Sequence, residues 1–207
     1  MATLLGSLLL SACSVFGIRN GTEEPPHSVT ERLGDVEIRR YAPRLAAETT
    51  VGGDATAARG EGFRRLAGYI FGGNQGRTRI EMTAPVAQSD ARSGTRIAMT
   101  APVAQAPIEA GWVIRFFLPA GLADPPKPND ARVRIVPVPA ETVAALRFSG
   151  VATDAAIAAH RAALLAALTG TRWRPAGEAV TWFYDPPWTL PPLRRNEVAV
   201  PVSDAPE

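Results

Sequence analysis

The feature that most constrains this chain is a repetition of its own plan at an offset of 97 residues. Each copy predicts the same order: a strand, a turn, a second strand, a glycine, an alanine-rich helix and two further strands. We therefore expect an α+β fold, a distorted antiparallel β-barrel or sheet with two flanking helices and a pseudo-twofold duplication. Between positions 36–58 and 133–155 the identical pairs are Val36–Val133, Ile38–Ile135, Ala47–Ala144, Gly53–Gly150, Ala55–Ala152, Thr56–Thr153 and Ala58–Ala155.

Each copy supplies its helix with a start signal and a stop signal. Asp54 can cap the first helix, and Thr153 or Asp154 can cap the second. The glycines that follow, Gly72 and Gly170, are typical of helix ends. The apolar residues predicted for the two inner faces are Phe63, Leu66, Ala67 and Ile70, and Ile157, Leu164, Leu165 and Leu168.

A decapeptide is also written twice, as RIEMTAPVAQ at positions 79–88 and RIAMTAPVAQ at 96–105. Its apolar residues alternate, which predicts two strands of a long hairpin, each ended by its proline. Met82 and Met99 would then point to the same interior. Methionines there can simply fill gaps in the core, or their thioethers can line a pocket for a flat apolar ligand. Thioether sulfur can also ligate iron.

Composition excludes several classes of function. The 22 basic and 20 acidic residues are interspersed, so we expect no nucleic-acid partner. The only two histidines, His27 and His160, cannot build a Ser-His-Asp triad, and no CxxC or HExxH motif offers a metal site. Glu81 and Glu178 remain candidate general bases. The sequence does not predict an oligomeric state.

The N-terminal segment predicts export and lipidation. Residues 1–12 contain an apolar run that is too short to span a bilayer. This pattern predicts a lipoprotein signal peptide. LSAC at positions 10–13 matches a lipobox, and Cys13 is the only cysteine. We expect a lipid on Cys13, a tether over residues 13–28, a folded domain over 29–207, and a periplasm-facing place on a membrane of the cell envelope. The alternative is a cytoplasmic protein with a frayed apolar N-terminus.

Several short motifs occur in a fixed order between Val29 and Val202. They are EIRRYAP at Glu37, GFRRLAGYI at Gly62, the two MTAPV segments, DPPKPND at Asp124, RFSG at Arg147, YDPPW at Tyr184 and RRNEV at Arg194. This order resembles the SOUL heme-binding proteins. The resemblance implies a distorted β-barrel with two flanking helices and a non-covalent tetrapyrrole, heme or porphyrin, in an apolar groove beside the first helix. It implies a heme carrier or buffer; the alternatives are a binder of another planar hydrophobic molecule, or an enzyme with Glu81 as base.

Some positions of the family pattern are filled differently here. Arg40 stands where some members carry a histidine, so the resemblance implies no strong axial ligand for iron. Two basic positions of the family fall on Gly68 and near Thr189, which leaves Arg64 as a source of positive charge. Arg195 and its neighbours are expected to clamp the YDPPW loop by hydrogen bonds. The pocket implied by the resemblance consists of Arg40, Phe63, Arg64, Leu66, Ala67, Met82 and Met99.

Overall fold

The computed structural model describes residues 22–91, 111–186 and 188–204, which form ten strands and two α-helices. Cys13, Met99 and the second decapeptide lie outside these residues. Neither helix in the described ranges is long and apolar enough to cross a membrane. The strands are β1 (His27–Leu33), β2 (Val36–Tyr41), β3 (Arg44–Gly52), β4 (Val86–Asp90), β5 (Gly111–Phe117), β6 (Arg134–Val138), β7 (Glu141–Phe148), β8 (Trp173–Pro175), β9 (Val180–Phe183) and β10 (Asn196–Asp204), and the helices are α1 (Ala55–Ile70) and α2 (Asp154–Leu168).

The strands form one antiparallel sheet in the order β1-β2-β7-β10-β9-β4-β5-β3-β6, with β8 added to β10. The expected α+β architecture with two helices is therefore confirmed. The closed barrel is wrong, because the described edge strands β1 and β6 each pair on one side only, so the hydrogen-bond ladder has two ends.

The predicted duplication is present, and the first strand of each repeat pairs with a strand of the other repeat. β2 of the first repeat pairs with β7 of the second, while β6 of the second pairs with β3 of the first. Tyr41 lies opposite Glu141 on the first ladder, and the positions 97 residues away from these two, Val138 and Arg44, lie opposite each other on the second. The offset seen in the sequence is therefore conserved in the register of the strands.

The pseudo-twofold axis passes between β4 and β9, the strands that join the two repeats. Exchanging the repeats turns the order β2-β7-β10-β9 into β6-β3-β5-β4, which is the other half of the sheet read from its edge. On the central ladder Gln88 lies opposite Thr181. Gln88 lies opposite Ile114 of β5, and Thr181 lies opposite Val198 of β10, so these two central residues occupy equivalent places.

Helix α1 begins as the sequence predicts and packs very closely on the sheet. The Asp54 carboxylate accepts hydrogen bonds from the backbone N–H groups of Thr56 and Ala57, at 3.0 and 2.9 Å. The helix packs against β3 and β5 with Leu66 fully buried. A Cβ atom on Gly62 would lie 2.4 Å from Cγ1 of Ile114, so only glycine allows this approach.

Helix α2 packs against β7 and β10 on the same face of the sheet. Thr153 caps it, accepting from the N–H of Ala156 at 3.1 Å. Leu164 and Leu168 are its buried residues, whereas Leu165 is exposed. The placement of Leu165 on the inner face is therefore wrong: the buried side of α2 runs through Leu164 and Leu168, and Leu165, about 100° around the axis from Leu164, lies outside it.

The first decapeptide does not form the predicted strand. β4 begins at Val86, after the proline that was expected to end the strand, and residues 79–85 are irregular. Their backbone N–H groups find other partners: that of Ile80 donates to the carbonyl of Ile70 and that of Ala84 to the carbonyl of Glu23, at 2.8 and 2.9 Å. The alternation reflects burial rather than strand pairing: Ile80 packs in the core cluster of α1, and Ala84 packs in a separate cluster with Phe117 and Trp182.

A buried ion cluster lies on the face of the sheet opposite the helices. The Glu197 carboxylate on β10 is fully buried and accepts hydrogen bonds from Arg39 at 2.6 and 3.2 Å, from Arg195 at 3.0 and 2.8 Å, and from the Tyr184 hydroxyl at 2.8 Å. The N–H of Arg195 donates to the Asp185 carboxylate at 2.6 Å, so the predicted clamp on the YDPPW loop is confirmed. The cluster thus ties β2, β10 and this loop together.

Burial alone would raise the pKa of Glu197. The hydrogen bonds and positive charge of Arg39 and Arg195 outweigh burial and hold this pKa below its ordinary value of 4.5. A carboxylate whose pKa is lowered on folding stabilises the fold above its unfolded pKa, and this contribution is lost as the pH falls through the folded pKa. The cluster therefore stabilises the fold at neutral pH and weakens in acid.

We expect Gly62→Ala to lower the free energy of unfolding by about 1–3 kcal/mol, because the new methyl group overlaps Ile114. Gly68→Ala is the matched control in the same helix, since a Cβ there meets no atom within 4 Å. It should stabilise the protein by about 0.5–1 kcal/mol, the cost of glycine in a helix. Urea unfolding of the two variants measures both values, and equal effects would contradict the close packing of α1.

We expect Glu197→Gln to destabilise the protein by about 3–5 kcal/mol, because Arg39 and Arg195 lose their buried counter-charge. Glu178→Gln, which removes an exposed partner of Arg161, should cost less than about 1 kcal/mol. Unfolding followed between pH 7 and pH 3 should show that the difference between wild type and Glu197→Gln shrinks below about pH 4.5. A difference that does not change with pH would contradict the lowered pKa.

Candidate functional site: the groove between the helices

The two helices leave a groove between them. Because α1 covers β3 and β5 and α2 covers β7 and β10, the axis strands β4 and β9 form an open floor. The groove has a volume of about 420 Å³, within the range of about 300–1,000 Å³ of small-molecule sites. Its apolar lining comes from Trp112, Ile157, Val180 and Val198.

The floor is fixed at the pseudo-twofold axis by Gln88. Its side-chain amide donates to the Ala55 carbonyl at 2.7 Å, at the start of α1, and its carbonyl oxygen accepts from Arg59 at 3.5 Å. Because Gln88 is almost completely buried, these bonds hold the first turn of α1 against β4. The position of this helix wall therefore depends on the floor itself.

An aromatic side chain forms part of the groove beside α1. Trp112, on β5, is half-buried and lines the groove. Its indole N–H donates to the Gly53 carbonyl at 3.1 Å, which fixes the ring. A fixed aromatic ring offers a flat ligand a stacking partner at a small cost in side-chain entropy.

Two guanidinium groups lie at the groove, that of Arg161 in its lining and that of Arg59 beside it. Arg59 of α1 lies over the ring of Phe183, 4.2 Å from its centroid, and reaches Gln88 on the floor. Burial lowers its pKa, against the attraction of Asp154, and among the described residues no carboxylate forms a salt bridge with it. Arg161 of α2 pairs with exposed Glu178 at 3.2 Å. The lining also holds the carboxylates of Asp90 and Glu178, so a negative group of a ligand would be received at Arg161 and at Arg59.

Four of the seven pocket residues that the resemblance implied are neighbours in the structure. Phe63, Ala67 and Met82 are half-buried and pack in one apolar cluster around Leu66. Phe63 contacts Phe116 edge to face, with ring centroids 5.3 Å apart. Leu66 is completely buried, so it supports this surface from below and does not reach a ligand.

The other three implied residues are not brought to that cluster. Arg64 is exposed and pairs with Glu61 at 2.8 Å on the outer side of α1. Arg40 is exposed on β2, and four strands separate β2 from β5, on which α1 lies. Met99 is outside the described residues, so its place in the pocket stays a prediction.

Sequence reasoning missed Arg59, Trp112 and the floor at Gln88. Arg59 had a usable signal, because it precedes Phe63 by four residues and therefore lies on the same side of the helix. The floor at Gln88 had no such signal, because the segment between the helix and the axis strand differs in length between the two repeats. No offset read from the sequence could bring Gln88 opposite Thr181.

The histidines are not placed as iron ligands of the groove. His160 stacks on Phe148, with ring centroids 4.2 Å apart, and its Nδ1 lies 2.7 Å from the Ala156 carbonyl oxygen. His27, on β1, packs against Tyr41. Across the described ranges, no three residues of His, Cys, Asp or Glu come together to hold a metal ion.

A second, smaller cleft of about 280 Å³ opens on the opposite face of the sheet. Phe117, Val143 and Trp182 form its apolar part, and Arg115 and Glu141 lie at its polar side. Glu141 is bound by Arg44, whose guanidinium lies between the rings of Tyr41 and Phe117. The cleft is aromatic but has its nearest charges already paired.

Solved structures share this fold at low sequence identity. The C-terminal domain of EcmrR matches with a TM-score of 0.54 and 10% identity, over 82% of this chain and 98% of that one. An uncharacterized conserved protein from Listeria innocua gives 0.56 and 11%, over 82% and 92%. A hydrolase from Listeria innocua gives 0.52 and 14%, over 82% and 92%. At these identities the similarity shows the fold alone.

No curated protein matches the sequence. The family described as SOUL heme-binding protein matches residues 22–201, nearly the whole chain and all of the groove. The chain therefore belongs to the SOUL heme-binding protein family.

Proposed function

We propose that the groove between the helices binds heme or a related tetrapyrrole without a covalent bond, and that the protein carries or buffers this ligand at the cell envelope. The family is heme-binding. The observation that carries the choice of site is a pair of guanidinium groups at a groove with an apolar lining: Arg161 belongs to the lining, and Arg59 lies beside it, bonded to the lining residue Gln88.

The residues of the groove fit the chemistry of such a ligand. A tetrapyrrole is flat and apolar on both faces, and its carboxylate groups carry negative charge at one edge. Trp112 and Ile157 would contact the faces, while Arg59 and Arg161 would donate hydrogen bonds to the carboxylates. Arg161 would exchange its exposed partner Glu178 for the ligand, a small loss since exposed ion pairs contribute little.

We further propose that the iron has no strong protein ligand. The described residues that line the groove include no histidine, cysteine, methionine or tyrosine. Affinity would then come from apolar burial and from the two arginines. When bound, heme supplies an iron centre, and in this proposal the ligand is cargo rather than a catalytic group.

Two alternatives have less support. A binder of another planar hydrophobic molecule is favoured by the aromatic cleft at Phe117 and Trp182. An enzyme would need a carboxylate in apolar surroundings, but Glu81 is exposed and Glu178 is exposed and paired with Arg161. The hydrolase with a similar fold shares too little sequence to add weight to catalysis.

The place of action is also a proposal. LSAC at positions 10–13 and the single cysteine support lipidation of Cys13, removal of residues 1–12, and a periplasm-facing position on the membrane. A carrier held there would meet its ligand beside the bilayer, into which free tetrapyrroles partition because of their large apolar faces.

Titration with hemin and with metal-free porphyrin tests the site. The double variant Arg59→Gln, Arg161→Gln should bind both ligands at least about tenfold more weakly, since a hydrogen bond to a charged group contributes about 1.5–3 kcal/mol. Arg147→Gln, an exposed arginine on β7 outside the groove, is the matched control and should bind as wild type. Equal affinities for all three proteins would exclude the groove.

The same titration tests the role of iron. Metal-free porphyrin should bind within about tenfold of hemin, a difference of about 1.4 kcal/mol. The double variant Met82→Leu, Met99→Leu keeps the apolar volume and should still bind hemin. If that variant folds and loses hemin while it retains metal-free porphyrin, methionine ligates the iron and the proposal of an unligated iron is wrong.

Expression of Cys13→Ala in a Gram-negative host tests the anchor. We expect the variant to move from the membrane fraction to the soluble fraction, or to remain unprocessed, because the lipid has no other attachment site. Mass spectrometry of the wild type should find a lipid-modified N-terminal Cys13. An intact Met1 together with unchanged fractionation would refute the anchor.

A further inference from the structure

We infer that one rim of the domain is a membrane-docking surface, on which four exposed apolar side chains insert into the interface of a phospholipid bilayer. We call this set, Val151, Trp188, Leu190 and Leu193, the rim patch. The inference deepens the proposed envelope location, from which it takes its motive, but the surface can be tested without any lipid on Cys13.

The members of the rim patch are unusually exposed for their size. Trp188 is 60% exposed, Val151 53%, Leu190 45% and Leu193 44%. Seven large hydrophobic residues are exposed in the described part of the chain, and three of them, Trp188, Leu190 and Leu193, lie on the one loop between β9 and β10. Grouped exposed apolar side chains mark a surface that contacts a partner or a membrane.

The two loops that carry the rim patch are joined to each other. The N–H of Gly150 donates to the Pro191 carbonyl at 2.9 Å, and the Asn196 side chain donates to the Gly150 carbonyl at 3.1 Å. Within the longer loop, Arg194 donates to the Thr189 carbonyl at 2.7 Å. A patch held in place in this way loses little conformational entropy when it docks.

The rim is also where the chain enters the domain. The Glu23 backbone carbonyl accepts from the N–H of Ala84 and its carboxylate from the N–H of Ala120, both at 2.9 Å. Glu24 pairs with Arg195 at 2.9 Å, at the end of the loop that carries most of the patch. Glu23 and Glu24, near the start of the described residues, therefore lie on the side of the rim patch.

The strand register shows that these features share one rim. Phe148, Asn196, Phe183, Val86 and Phe116 lie opposite one another in a continuous row across β7, β10, β9, β4 and β5. Each of these residues stands at or next to the end of its strand. The rim patch and the contacts of Glu23 and Glu24 follow directly beyond this row.

The position of Cys13 then argues for a lipid surface as the occupant. Glu23 lies ten positions after Cys13, and an extended chain of this length reaches at most about 35 Å. A lipid on Cys13 would hold Glu23, on the rim of the patch, within that distance of the bilayer. Tryptophan and leucine on an exposed loop suit its interface, where tryptophan in particular is enriched.

The test uses the full chain with Cys13→Ala, so that no lipid is attached, and vesicles of phosphatidylcholine and phosphatidylglycerol. We expect sedimentation with the vesicles and quenching of tryptophan emission by brominated lipid. In this background Trp188→Ser with Leu193→Ser should lower vesicle binding at least about tenfold, because two large apolar contacts are lost. The quenching should disappear with it, since Trp173 and Trp182 are buried and the half-buried Trp112 lies at the end of β5 away from this rim.

The matched control is Val29→Ser with Leu165→Ser, which removes two exposed apolar side chains on β1 and α2. It should bind vesicles as the parent does. Equal loss in the two double variants, no loss in either, or absence of vesicle binding by the parent would overturn the docking surface. So would a rim variant that still binds vesicles but binds hemin more weakly, because the patch would then belong to a ligand site. None of these outcomes depends on whether Cys13 is lipidated.

Discussion

The pairing of β4 with β9 is the constraint on which the rest of the structure depends. It joins the two repeats, and with Gln88 opposite Thr181 it sets the pseudo-twofold axis through the middle of the sheet. Each helix must cover the apolar strands of its own half, so the strands at the axis stay open between the helices. The groove is thus a direct result of the duplication, and the arginine in its lining, Arg161, and the arginine bonded to its floor, Arg59, come from different repeats.

The two faces of the sheet have separate roles. The helix face combines an apolar core with the groove, whereas the opposite face holds Glu197 and its hydrogen-bond partners in a fully satisfied cluster. A buried carboxylate with this many donors favours one arrangement of the strands over others, since a shift in register would leave it unpaired. The cluster also holds Arg195, and through it the loop that bears Trp188, in a fixed position.

Sequence reasoning was most accurate where the two repeats keep the same length. The offset of 97 residues predicts the ladder partners of Tyr41 and Arg44 because no insertion separates these strands. It fails beyond them: the buried residues of the helices, Leu66 and Leu164, are 98 positions apart, and Gln88 and Thr181 are 93 apart. Loops of different length in the two repeats change this offset, and the composition of the loops does not indicate by how many residues. Arg40 shows the same limit for the site, since a motif near the start of the chain does not indicate which helix its strand will lie beside.

The close contact between Gly62 and Ile114 has a consequence for the two helices. In α1 the backbone at Gly62 contacts the side chain of Ile114. At the corresponding position of α2 the chain carries His160, whose ring stacks on that of Phe148. The backbone of α1 therefore contacts the sheet directly, while α2 is separated from it by a pair of stacked rings. The distance between α2 and the sheet is thus set by side chains that a substitution can change, whereas the distance between α1 and the sheet is set by its backbone.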